Sequence, residues 1–200
     1  MDFITKLFKK EPIGCIAVIV SVITIFASWF ISVNEINKTH ENAIDLKRQE
    51  EERVVSFSAS ILLNEFERVY EKSQINIEMA DFMLEQIEKE KYSFVTAKNL
   101  TGKYTILSED QFIEYLSKVS TYLEPYEYSF ISDYHRAFRI LDSIDPRESY
   151  NGNINKESAE LFKSWWVATK SLNDHYYMSS DYSILLEQII EKLNRLKKMS

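Results

Sequence analysis

Three histidines come first, because a neutral imidazole is both a common metal ligand and the side chain whose charge changes nearest neutral pH. They are His40, His135 and His175. Asp133-Tyr134-His135-Arg136 and Asp174-His175 each set a carboxylate beside an imidazole, the raw material of an acid–base pair or a metal site. Adjacent residues on a helix point about 100° apart, so neither pair is a ligand set by itself. A metal-dependent enzyme would need His135 and His175 on helices that meet, with acids converging on them. The simpler expectation is surface or interface histidines, with His40 solvated.

Other chemistry is poorly supplied. The acids Glu50-Glu51-Glu52 and Glu88/Glu90 sit among lysines and arginines, where water keeps carboxylates ordinary. The single cysteine, Cys15, lies in an apolar run, which excludes a disulfide framework, a cysteine-based zinc cluster and a reactive thiol. G-x-S-x-G, H-E-x-x-H, Walker A and EF-hand patterns are absent. No catalytic residue, cofactor or metal is therefore expected, and no small-molecule substrate suggests itself.

Twelve tyrosines are the unusual feature. Tyr122, Tyr126, Tyr128 and Tyr134 form one group; Tyr176 and Tyr177, with Tyr182 close by, form a second, and Trp165-Trp166 adds two large rings. Aromatic side chains with polar tips bury a large area and still hydrogen-bond at an edge, so these eight grouped residues other than Tyr182 are the candidate interaction surface. The competing reading makes them the rim of a helical core. Basic residues do not interleave with them and the net charge is −7, so a nucleic-acid partner is not expected. Asn37-Lys38-Thr39 and Asn99-Leu100-Thr101 match the short glycosylation sequon, but the Ile-, Lys-, Tyr- and Asn-rich usage is that of an AT-rich bacterial genome.

The elements that position these residues are helices. Three glycines and three prolines in 200 residues are too few turn formers for a many-stranded sandwich or barrel. From Cys15 through Thr101 no glycine or proline occurs in 87 residues. Residues 1–11 read as a short basic, amphipathic tail and 12–34 as a transmembrane helix, with Ile13, Ile16, Ile19, Ile23, Phe26, Trp29, Phe30 and Val33 in the span. This run carries no charge over 23 residues, and 21 helical residues cover about 31 Å, the thickness of a hydrocarbon core. Its twelve Ile, Val and Phe side chains favour insertion by roughly 4–7 kcal/mol. The run is too long for a signal-peptide core, and no small-x-small cleavage site follows it. Lys6, Lys9 and Lys10 precede it and only Lys38 lies in the next ten residues, which places the N-terminus inside and the rest of the chain outside.

Residues 35–52 carry mixed charge and read as a helical stalk; 53–200 read as a soluble helical domain. Val55, Ala59, Leu62, Phe66 and Val69 make a buried seam, and Ile77, Ala80, Met83, Leu84 and Ile87 belong to a second helix ending near residues 88–91. Over 92–107 a short helix stopped by Gly102 is preferred to a hairpin. Ser108-Glu109-Asp110-Gln111 is a capping box opening a helix to about Leu123. Pro125 starts another, reaching about Ile144, and residues 145–153 hold a turn. Asn155 caps the next helix, and the last begins near Ser180 or Asp181.

The predicted fold is all-α, a single N-terminal transmembrane helix continuing into a helical stalk and a five- or six-helix antiparallel bundle. The predicted role is a non-enzymatic interaction module anchored in a bacterial plasma membrane, whose partners are the lipid bilayer and either another protein or a second copy of itself. A membrane effector or exclusion protein acting through assembly of its transmembrane helices is the alternative. A metal-dependent enzyme using His135 and His175 ranks third.

Overall fold

The computed structural model describes residues 12–92, 103–145 and 155–199. The predicted N-terminal tail, Gly102 with the run before it, and the turn containing Tyr150-Asn151-Gly152-Asn153 lie outside them. The described residues are 90% helical and contain no strand. The described residues form five α-helices: α1 (Pro12–Glu88), α2 (Glu109–Val119), α3 (Pro125–Ser143), α4 (Lys156–Asn173) and α5 (Ser180–Lys197). A 3-10 turn, Ser120–Tyr122, follows α2, and a π-helical turn, Asp174–Met178, follows α4. The chain divides into two units, Met1–Glu51 and Glu52–Ser200.

In the first unit, α1 is long and apolar enough to cross a membrane. Ile23, Phe26, Trp29, Phe30 and Val33 are all exposed. Ile13, Ile16 and Ile19 fall within α1, with side chains outside the described set. Ser21 Oγ donates to the Ala17 carbonyl and Thr24 Oγ1 to that of Val20, each at 2.8 Å. These hydroxyls are satisfied inside their own helix, which lowers the cost of placing them in an apolar medium. Farther along, the pairs Lys47–Glu51 and Arg48–Asp45, at 3.9 and 3.5 Å, sit on an exposed, mixed-charge surface.

In the second unit, α1 buries one seam: Val55, Ala59, Leu62, Phe66, Val69, Ser73, Asn76, Ala80, Met83 and Ile87. The steps alternate four and three without interruption, a repeat of 3.5 residues. The expectation of a separate second helix holding Ile77, Ala80, Met83, Leu84 and Ile87 is corrected, since α1 runs unbroken across Ser73 and Asn76. The structure keeps one helix because both residues hold the phase of the seam, and Asn76 Nδ2 donates to the Tyr104 hydroxyl at 2.7 Å. The end falls where expected. Lys91 N donates to Gln86 O at 2.8 Å and Glu90 N to Ile87 O at 3.1 Å, a Schellman closure with Glu90 at φ 55°.

The short helix expected to stop at Gly102 falls on residues outside the described set, and residues 103–108, past that stop, are not helical. Their backbone donors go to buried carboxylates instead. Asp142 accepts from Tyr104 N at 2.7 Å, Thr105 N at 2.9 Å and Thr105 Oγ1 at 2.8 Å. Glu65 accepts from Ile106 N at 2.9 Å and Leu107 N at 3.2 Å. The segment is thereby strapped between α1 and α3, with Tyr104 fully buried against Phe138 and Trp165.

The caps fall where the sequence puts them. Ser108 and Gln111 form the reciprocal box of α2, and Asn155 and Ser158 that of α4. Pro125 opens α3 behind Glu124, whose N–H donates to Glu127 Oε2 at 2.7 Å. Glu127 is buried and is also held by Lys192 of α5, at 2.7 and 2.5 Å.

Candidate functional site

The connection between α4 and α5 contains neither glycine nor proline. The chain widens its last turn instead, and Ser179 N donates to Asp174 O at 2.9 Å, the i to i+5 bond of a π turn. The extra residue in that turn lets two consecutive tyrosines reach the same neighbour. Tyr134 of α3 lies 5.0 Å from Tyr176 and 6.4 Å from Tyr177, centroid to centroid, both edge-on. Phe66 of α1 and Phe138 complete the surroundings of Tyr134, at 4.9 and 5.0 Å. The Tyr134 and Tyr177 hydroxyls share a hydrogen bond, and Tyr70 packs edge-on to Tyr177 at 5.2 Å.

A cavity of about 420 Å³ opens over this pair, wholly within the second unit. Its first wall is one face of α1: Leu63 and Phe66 deep, then Glu67, Tyr70 and Gln74, spaced three and four residues apart. The opposite wall is α5, with Leu186 and Ile190 inward and Ser183 and Glu187 toward solvent. Met178, from the π turn, stands at the margin and is 74% exposed. The volume lies in the lower part of the range occupied by small-molecule sites, and the mix of apolar walls with a few polar groups is the usual one.

Burial governs the phenols. It pushes Tyr134 well above the ordinary phenol range, with Tyr177 adding to the effect. It also raises Tyr177, against the hydrogen bond with Tyr134, which acts in the opposite sense. Tyr176 is raised to about 12 by burial and then by Asp133. These groups remain neutral hydroxyls at physiological pH, suited to hydrogen bonding and ring contact rather than proton abstraction.

The eight aromatic residues singled out in the sequence are divided by the fold. Tyr134, Trp165, Trp166 and Tyr176 are buried, so they form core rather than an exposed surface. Adjacent tryptophans are both covered because Trp165 reaches α3, donating Nε1–H to Leu141 O at 3.1 Å, while Trp166 packs edge-on beside it at 4.7 Å. Tyr128 and Tyr177 are half-buried, whereas Tyr122 and Tyr126 are exposed near the start of α3. Tyr134 and Tyr177 are brought together at the cavity. Glu67, Gln74, Glu187 and Met178 were not singled out. The available signal was Leu63, buried beside Leu62, which widens the α1 seam toward this side.

His135 is a second correction: it is an interior residue, 2% exposed, not a surface histidine. Its ring stacks on Phe112 at 3.7 Å with an interplanar angle of 2°, and Nε2 approaches Glu65 Oε1 at 3.4 Å. His175 is exposed on the π turn, beside Tyr182 at 4.2 Å, and His40 is exposed on α1. Among the described residues no three His, Cys, Asp or Glu side chains are grouped as a metal site. Comparison with protein-family models, with curated proteins and with solved structures finds no match to this chain.

Proposed function

We propose that this chain is a membrane-anchored, non-enzymatic interaction module, consisting of an antiparallel helical bundle tethered by residues 12–34 to a bacterial plasma membrane. The observation that carries the reading is the uncovered apolar band of α1, in which Ile23, Ile25, Phe26, Trp29, Phe30 and Ile31 are all more than half exposed. A band of this length needs a covering, and a bilayer matches both its length and its all-round apolar character. The three-to-one lysine asymmetry is not needed for anchoring, but the excess on the N-terminal side supports an N-inside orientation. Anchoring confines the bundle to a surface and raises its effective concentration toward any partner there. The short connections at residues 123–124 and at Ser179 support antiparallel neighbours.

The test combines a carbonate wash with cross-linking in isolated membranes. Full-length chain should remain in the washed pellet, and Ile23→Arg/Phe26→Arg should release it, since each arginine costs about 2.5–3.5 kcal/mol at mid-bilayer. A photo-reactive group at exposed Tyr126 should then give one adduct of defined mass. Release of the unaltered chain by carbonate, or its recovery without residues 1–34, would overturn the anchor. Absence of any adduct would overturn the interaction role. Homo-oligomers abolished by Ser21→Leu/Ser28→Leu would instead establish assembly through the transmembrane helices.

A further inference from the structure

We propose that the cavity between α1, α5 and the π turn binds a small organic cation, an ammonium group carried on an apolar body. The proposal goes beyond the interaction role and does not rest on it. Three observations converge. The first is shape: the cavity, at about 420 Å³, suits a one-ring or short-chain molecule better than a two-chain lipid. The second is charge. The lining contains Glu67 and Glu187 on opposite walls and no Lys, Arg or His. On the same helices Glu191 is paired with Arg195 and Glu85 with Lys89. Among the described residues Glu67 and Glu187 have no such base.

The third observation is the aromatic lining. Phe66, Tyr70, Tyr134 and Tyr177 meet at the cavity. A ring face carries negative quadrupolar charge and attracts a cation within about 6 Å of its centre. The Tyr134 and Tyr177 hydroxyls bond to each other, which uses one of their two O–H donors within the floor. Leu63, Leu186 and Ile190 would cover the apolar body of the ligand, and Glu67 and Glu187 would stand nearest its charge at the solvent side. An anion would meet two like charges, and a neutral molecule would forgo both attractions.

The test uses the full-length chain in lipid nanodiscs and three probes sharing one ring: benzyltrimethylammonium, benzyl alcohol and phenylacetate. Affinities are read by calorimetry. Benzyltrimethylammonium should bind at least about tenfold more tightly than benzyl alcohol, with phenylacetate weakest, as a pair of carboxylates and an aromatic lining require. Glu67→Gln/Glu187→Gln, a change of exposed residues that preserves shape, should bring the cation to within about twofold of the alcohol and leave the alcohol unchanged. Ser183→Trp, placing a large ring at the mouth, should weaken all three probes. Equal or tighter binding of the alcohol, a cation preference that survives the double substitution, or no binding of any probe at millimolar concentration would each overturn the proposal.

Discussion

Asp142 should be worth more to this fold than any single apolar contact in the strap it holds. Its carboxylate is buried and accepts three hydrogen bonds, from Tyr104 N, Thr105 N and Thr105 Oγ1, all within 2.9 Å. Asp142→Asn preserves shape but exchanges one acceptor oxygen for an N–H₂ donor. If the remaining oxygen keeps Tyr104 N, the new amide faces both donors of Thr105. A hydrogen bond to a charged group contributes about 1.5–3 kcal/mol, and a buried donor left unpaired costs about 1–3 kcal/mol. Thr105 is half-buried and can regain some water, so the lower half of the summed range applies, about 3 kcal/mol. Thr105→Val replaces the hydroxyl with a methyl group and should cost about 1.5 kcal/mol in the unaltered protein, the low end for a bond to a charged group. In the Asp142→Asn background it should cost nearly nothing, because the bond has already been lost. Urea denaturation of the full-length chain in nanodiscs, followed by the fluorescence of buried Trp165 and Trp166, measures all four corners of this cycle. An Asp142→Asn variant within about 0.5 kcal/mol of the parent, or a Thr105→Val cost equal in both backgrounds, would refute the strap argument.

Two further outcomes follow from the buried polar groups. Burial raises the Tyr104 phenol from 10.0 to about 12, so its stabilising contribution is complete below pH 10 and is lost as pH rises through the folded value. Between those values the unfolded chain releases a proton that the folded chain keeps, and stability should fall by about 1.4 kcal/mol per pH unit from Tyr104 alone. Tyr134, Tyr176 and Tyr177 are raised in the same sense, so the urea midpoint should drop steeply across this window. A midpoint flat from pH 10 to 12 would contradict it. For the Glu127–Lys192 pair the order of the variants is the test. Lys192→Met strands a carboxylate that is 5% exposed and should cost about 3 kcal/mol, whereas Glu127→Gln leaves a lysine that can turn to solvent and should cost about 1 kcal/mol. Adding Glu127→Gln to Lys192→Met should restore stability, and a further loss in the double variant would refute the asymmetry.

What the sequence made legible was local. The capping boxes at Ser108 and Asn155, the proline start of α3 and the opening of α5 near Ser180 each depend on residues within one turn, and each stands where the pattern put it. The apolar run of residues 12–34 is likewise a property of composition alone. The misreadings all involve partners far away in the chain. The separate helix expected over Ile77 to Ile87 is part of α1, and the polar residues that carry the seam across, Ser73 and Asn76, are buried by other elements, Asn76 meeting Tyr104 from 28 positions along. His135 was expected at a surface or an interface. Its interior setting depends on Phe112 from α2 and Glu65 from α1. Trp165 and Trp166 could not be told from a surface pair until α3 supplied the Leu141 carbonyl.

The scarcity of glycine and proline links these misreadings to the candidate site. A helical domain must reverse its chain several times, and glycine usually relieves the strain of doing so. Here Glu90 takes the left-handed position after α1, and buried Asp142 and Glu65 hold an extended strap before α2. Between α4 and α5 the same problem is met by a π turn. A wider turn displaces its side chains from the helical register, so Tyr176 and Tyr177, neighbours in sequence, both approach Tyr134 while Met178 is left at the cavity margin. Replacing this turn with a glycine-capped reversal would return the two tyrosines to the ordinary spacing of about 100° and separate them. The cavity is therefore tied to the way the chain turns: the π turn that joins α4 to α5 also supplies Tyr177 and Met178 to its lining.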